Sequence, residues 1–286
     1  MIKIVYFDRN VINRIKAQLF VSDADYMLLR SAVTDGRFIA PISITLLEET
    51  LPIVEVRSTL KRMMEQQIMT ELLNWDWLVK PHTDLLSDDI KSYAKGESLS
   101  FPFLSLNLKR EEFFNPAGQG RKEILRIIEE TKLQKDAQFD DMKKAKSQYQ
   151  ERFKTPPISS FEDFWNQFAE HVIGSMAEKV GVLEECEARG LDGLLQIKSA
   201  RLYSAWRLAY DYNTFIRGRK IKKSDSRDHH HAVLASVADI LVTQDRRFAE
   251  MLRQVRIDGF EVIDLNTLLG RLKFPGLFGF HTHESN

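Results

Sequence analysis

A chain of 286 residues is long for a minimal domain and short for three, so one elaborated domain or two modest ones is expected. Its 43% apolar content supplies an ordinary core, no apolar run is long enough for a membrane-spanning helix, and one cysteine, Cys186, excludes an internal disulfide. Formal net charge is zero, so bulk charge announces no polyanionic partner, and any such partner must be met by a local patch.

Residues 2–7, Ile-Lys-Ile-Val-Tyr-Phe, are short, β-branched and aromatic, and predict a buried parallel strand. They are too few for a signal peptide before Asp8, so a cytoplasmic protein is expected, in keeping with the lone thiol. Cys186 reads as a small helical side chain, because no nucleophile motif surrounds it. Val11, Ile15 and Leu19 recur at helical spacing over 11–20. Ser22 and Asp25 read as the cap and first-turn acid of a second helix through Val33, and Asp35-Gly36 as the turn after it. Residues 38–42 predict a strand, 44–73 a helix broken near Pro52, and 77–79 a third short strand.

Residues 82–196 are helical in pattern, charged and poor in strand signals, and read as a helical insertion or lid. Within it the run from Arg121 to Arg152 predicts a solvated helix packed by Ile124, Ile127, Ile128 and Leu133. Ser160 with Asp163 resembles a capping box with Asp in the acid position. Helix is expected over 195–217, 228–237, 246–253 and 265–272, and strand over 239–243 and 260–263. Strands alternating with helices predict an α/β fold, a parallel sheet covered on both faces. Its core is formed by 1–81 and 197–273, with 82–196 inserted and 274–286 a tail without an assigned element.

Ligand sites in parallel sheets form at the carboxyl ends of strands. Asp8 follows the strand 2–7 directly, and Asp245 lies two residues beyond 239–243. Glu48 falls in the first turns of the helix after the second strand. Asp228 opens a helix that runs back toward the start of strand 239–243, so its own start lies near the carboxyl edge. Asp8, Glu48, Asp228 and Asp245 are therefore expected to converge. Carboxylates so crowded repel one another unless a cation joins them. Mg²⁺ takes oxygen ligands and keeps waters, and such an ion acidifies water and neutralises a phosphate in transfer. Taken singly, Asp8 could only end a strand and Asp245 only cap a helix. Asp239 precedes its strand and reads as a turn or cap acid, and Glu49 and Glu55 read as solvated helix faces.

Tyr6-Phe7-Asp8-Arg9-Asn10-Val11-Ile12 resembles the strand-Asp-x-Asn-Val opening of PIN-like domains. Ser43-Ile44-Thr45-Leu46-Leu47-Glu48 resembles their second motif. Asp228-His229-His230-His231-Ala232, followed by Ala238-Asp239-Ile240-Leu241-Val242-Thr243-Gln244-Asp245, resembles their closing pattern. The resemblance covers roughly 1–80 and 200–270 and leaves the middle block unmatched. It implies a three-layer α/β/α sandwich around a central parallel sheet, and a Mg²⁺- or Mn²⁺-dependent nuclease that hydrolyses phosphodiester bonds, of RNA before DNA. Asp8, Glu48, Asp228 and Asp245 would be the metal-site acids, with Asn10 and Thr243 behind them. Spacing in this family drifts, so Glu49 rivals Glu48 and Asp225 rivals Asp228. PIN-like proteins include toxins, whose partner would be a protein inhibitor, and also DNA nucleases and non-catalytic RNA-binding modules. A haloacid-dehalogenase-like phosphatase would need a second Asp where Asn10 stands.

His229, His230 and His231 point about 100° apart on a helix and cannot share one ion well, so packing is expected of them. His231 can meet Asp228, three residues earlier. Arg217, Arg219, Lys220, Lys222 and Lys223 form the sharpest cationic cluster, just before Asp228, and Arg246 with Arg247 directly follows Asp245. These are the candidate phosphate contacts, expected exposed and on the side of the acids. Lys143, Lys144 and Lys146 read as a wet helix face.

Overall fold

A computed structural model describes residues 2–18, 23–55, 59–104, 114, 121–130, 133, 158, 160–220 and 225–274. In chain order the first half forms β1 (Lys3–Phe7), α1 (Arg9–Gln18), α2 (Ala24–Thr34), β2 (Phe38–Ile39), β3 (Pro41–Ser43), α3 (Ile44–Glu55), α4 (Thr59–Leu72), β4 (Asn74–Val79) and α5 (His82–Lys95). A helical stretch at 121–130 follows. The second half forms α6 (Phe161–Val180), α7 (Leu183–Arg189), α8 (Leu191–Leu194), α9 (Lys198–Asp211), α10 (Asp225–Leu234), β5 (Ile240–Val242), α11 (Arg246–Arg253), β6 (Glu261–Ile263) and α12 (Leu265–Lys273). Among the described residues no helix is long and apolar enough to cross a membrane.

The molecule is a mixed α/β structure whose central sheet has the order β2-β1-β5-β6, parallel throughout and flanked by helices. A parallel pair, β3-β4, stands beside it. The strands at 2–7 and 239–243 thus lie side by side, as the alternation predicts. Successive strand side chains point to opposite faces, and the core divides accordingly. Val5, Phe7, Ile240 and Val242 enter one cluster with α1, α2, α4 and α12. Tyr6 and Leu241 enter the other, with α5, α6, α9, α10 and α11.

Several expectations change on contact with the fold. Residues 38–42 are not one strand: β2 pairs with β1 and β3 with β4, with Ala40 between them. The helix expected over 44–73 is divided into α3 and α4, with Pro52 inside α3 rather than at its end. Residues 74–79 make a longer strand than 77–79. The helix placed at 228–237 begins at Asp225, so Asp228 lies in its first turn rather than at its start. From the helical block 82–196, α5 and α6 supply Leu85, Leu86, Ile90, Phe164 and Ile173 to the second cluster. Within the block, Ile124 and Ile128 are buried against the first cluster, but Leu133 is 74% exposed and packs nothing down. The rest of that run, with Lys143, Lys144 and Lys146, lies outside the described residues, as do Leu19 and Ser22. Asp23 occupies the cap position of α2 and makes no side-chain cap bond there. Ser160 behaves as expected. Its hydroxyl accepts from the Asp163 amide at 3.1 Å and donates to the Asp163 carboxylate at 2.7 Å. Cys186 is buried in the second cluster, and burial pushes its thiol pKa up.

An ion cluster joins three helices of the first layer. Glu65 on α4 is fully buried and accepts from Arg9 on α1 and, at 2.8 Å, from Lys16 Nζ. Arg9 Nη1 also donates to Thr50 Oγ1 on α3 at 3.0 Å. Arg9 is the residue after Asp8, so this cluster fixes the first turn of α1 from below. Removing one member of a buried pair strands the other charge, at a cost of about 3–5 kcal/mol. Glu65→Leu is therefore expected to destabilise the fold by about that amount, read as a lowered midpoint in urea unfolding.

Candidate active site

The parallel register sets Val5 opposite Ile240 and Phe7 opposite Val242, so β1 and β5 end together. The Asp8 amide donates to the Val242 carbonyl at 3.2 Å, carrying the pairing one residue further. Asp8 is 3% exposed and held from several sides. Its Oδ1 accepts from the backbone amides of Asn10 at 2.6 Å and Val11 at 3.2 Å, which is also how α1 is capped. Its Oδ2 accepts from the Thr243 hydroxyl. Thr243 Oγ1 in turn accepts from the Asp245 amide at 3.0 Å. Thr243 thus ties the two acids together, and Asn10 supports Asp8 through its main chain.

Asp245 Oδ1 accepts from the Phe248 amide at 3.0 Å, so this acid is the cap of α11 as well as a wall of the cleft. Asp228 is half-buried on α10. Burial first, then the charge of Asp245, with Asp225 and Asp8 adding, push its pKa up to about 7, against the opposing pull of His231. Burial likewise raises Asp8, against His231 and the Thr243 hydroxyl. Asp225 is 1% exposed and pairs with Arg219 at 2.5 Å. Asp228 thus feels the charges of Asp245 and Asp8, and Asp8 and Asp245 are linked through Thr243.

The fourth acid is different. Glu49 Oε2 meets His231 Nε2 at 3.3 Å, and Arg227 stands 3.6 Å from Glu49 Oε1. Glu48 precedes it on α3 and is likewise half-buried. Glu49, the rival of Glu48 for the second acid, thus reaches the histidine beside the other acids and is not the solvated position expected of it. His231 Nδ1 bonds the Tyr6 hydroxyl at 2.8 Å, which lies 2.9 Å from Ser43 Oγ. Burial alone would lower the His231 pKa. The hydrogen bond to Glu49 and the charges of Glu49, Asp8 and Asp228 outweigh it and raise it. His231 is thus the buried counter-charge of the acids. Its neighbours pack, as expected: His229 stacks on Trp206 at 4.7 Å between ring centres, and His230 on His82 at 3.4 Å. Asp239, read as a cap acid, accepts from the Ile4 amide at 2.8 Å.

A cleft of about 740 Å³ opens over this edge. Asp225, Asp228, Asp245 and Gln244 line its acidic part, α1 contributes Asn10, Asn13, Arg14 and Ala17, and α11 contributes Arg246 and Arg247. Arg14 and Asn13 escaped the sequence reading. Their signal was the polar helical face at spacing i, i+3, i+4, i+7 opposite Val11 and Ile15. The basic segment departs from expectation. Arg219 is not free for phosphate: it is half-buried, bound to Asp225, and its guanidinium lies 5.5 Å over the Tyr210 ring. Arg217 is exposed and lies 5.1 Å over Tyr212, and Lys220 is exposed. Lys222 and Lys223 lie outside the described residues.

The acids suit a hard divalent cation in donor type and in uncompensated charge. They do not form a closed cage, since among the described residues no three His, Cys, Asp or Glu side chains group tightly enough to hold an ion alone. Mg²⁺ is compatible with such an open set, because it keeps waters and takes one or two carboxylates together with substrate phosphates.

The raised Asp228 pKa makes a stability prediction. An unfolded Asp titrates near 4 and this one at about 7, so the protonated form favours the fold below about pH 4, and that contribution is lost as pH rises to about 7. Asp228→Asn should therefore raise the urea midpoint at pH 8, by roughly 1–3 kcal/mol in stability, with the gain vanishing near pH 4. Comparison with family models, with curated proteins and with solved structures finds no match, so the geometry at this sheet edge is what bears on function.

Proposed function

We propose that the protein is a cytoplasmic, metal-dependent nuclease with a PIN-like three-layer α/β/α sandwich, hydrolysing phosphodiester bonds at the cleft over β1 and β5. The observation that carries this reading is the convergence of Asp8, Asp228 and Asp245 on one carboxyl edge, where burial first, and then the charges of Asp245, Asp225 and Asp8, push Asp228 up to about 7. Asp8, Asp228 and Asp245 would hold Mg²⁺ or Mn²⁺, with Glu49 acting through His231. When bound, the cation balances these carboxylates and offsets the charge that builds on the phosphate during hydrolysis.

The chain's own residues supply position. Asp8 is locked in one orientation by two amides and the Thr243 hydroxyl, so its carboxylate is aimed before any ligand arrives. His231 holds part of the acids' charge in check from the buried side. Arg246 stands exposed beside Asp245, where it can meet a phosphate of the bound strand. The order RNA before DNA rests on the family resemblance of the motifs, since a metal site does not specify the sugar.

Cleavage of labelled RNA and DNA, each with Mg²⁺, Mn²⁺ or EDTA, tests the proposal. Metal-dependent cleavage is expected, RNA the better substrate. Asp8→Asn should lower the rate by about a hundredfold or more, with near-native circular dichroism, since even groups that only support a metal ligand are worth ten- to hundredfold. Full activity of that variant in Mg²⁺ would overturn the assignment. Cleavage of DNA alone would support the DNA-nuclease reading on the same acids.

A further inference from the structure

We propose that Arg14 is a substrate-positioning residue, the second wall of a two-sided cleft that grips a strand on both sides of the scissile bond. The preferred substrate would then be an internal phosphodiester of a longer single strand rather than a small diester. This rests on the nuclease reading of the acids.

Three observations support it. First, α1 is divided sharply: Val11, Ile12 and Ile15 are buried, while Asn10, Asn13, Arg14 and Ala17 line the cleft. Second, the other cations of α1 are committed and Arg14 is not. Arg9 and Lys16 are held by Glu65, whereas Arg14 makes no ion pair among the described residues. Third, Arg246 and Arg247 face it from the opposite wall, exposed and likewise without an ion pair among the described residues. They occupy the first turn of α11, where a cation opposes the helix dipole. Guanidinium groups without an ion pair among the described residues thus line the same cleft as Asp225, Asp228 and Asp245, on helices that pack in the two different core clusters. A single phosphate over the acids would engage one wall. Successive phosphates of a strand would engage both, each through a planar fork that matches phosphate oxygens.

Bis(p-nitrophenyl) phosphate has the scissile diester and no flanking phosphate, so it separates gripping from chemistry. Wild type, Arg14→Ala and Arg14→Lys are assayed in Mn²⁺ on this diester and on a labelled single-stranded oligoribonucleotide. Arg14→Ala should raise KM for the oligonucleotide about tenfold, the lower end for a lost charge-assisted hydrogen bond, and should lower kcat/KM on the small diester by clearly less than on the oligonucleotide. The slope of log affinity against log salt should flatten by about 0.7, and Arg14→Lys should restore that slope but only part of KM. Equal losses on both substrates, or an unchanged KM and salt slope, would overturn the assignment. If wild type cleaves neither substrate, the nuclease reading falls. Oligonucleotide binding in Ca²⁺ then decides Arg14 separately: weaker binding with a flatter salt slope in Arg14→Ala upholds it, and identical binding ends it.

Discussion

The parallel pairing of β1 with β5 is the constraint on which the site depends. Asp8 and Asp245 are at opposite ends of the chain, and only the register that sets Phe7 beside Val242 brings their carboxylates to one edge. The Thr243 hydroxyl extends this pairing beyond the ladder by accepting from the Asp245 amide and donating to Asp8. A slip of one residue would turn Tyr6 and Leu241 to the wrong face, and both cores forbid it. The apolar alternation that stabilises the sheet thus also specifies the acid geometry.

The acids of this protein fall into two kinds. Glu65 is neutralised by Arg9 and Lys16, Asp211 by Arg207 at 2.8 Å, and Asp225 by Arg219. Each of these is an ion pair within the chain. Asp8 and Asp228 have no arginine or lysine ion pair among the described residues, and share one buried imidazole. Burial is the largest cause that raises both, with the charges of Asp245, Asp225 and Asp8 adding at Asp228 and His231 opposing at each.

Much of this was legible in the chain. The strand-Asp opening and the Asp228-to-Asp245 segment carried three of the four acids, because strand ends and helix starts have strong local signals. That Glu49 meets His231 was not legible, since it depends on how α3 is seated against α10, which lies far along the chain. Arg219 was misjudged for a related reason. A cationic run looks solvated in sequence, and only the fold places the buried Asp225 beneath it. The split at Ala40 was hidden because both short strands are apolar, and only the partner strands distinguish them.

The stacking of His229 on Trp206 and of His230 on His82 has a consequence for how the chain can be divided. These contacts seat α10 on α9 and α5, and α10 carries Asp228. A helix from the start of the 82–196 block therefore sets the rotation at which an acid is presented to the cleft. Although the block interrupts the α/β alternation like a cassette, it is a buttress. Shortened versions of this chain that keep every strand and every acid would still lose the surface against which Asp228 is aimed.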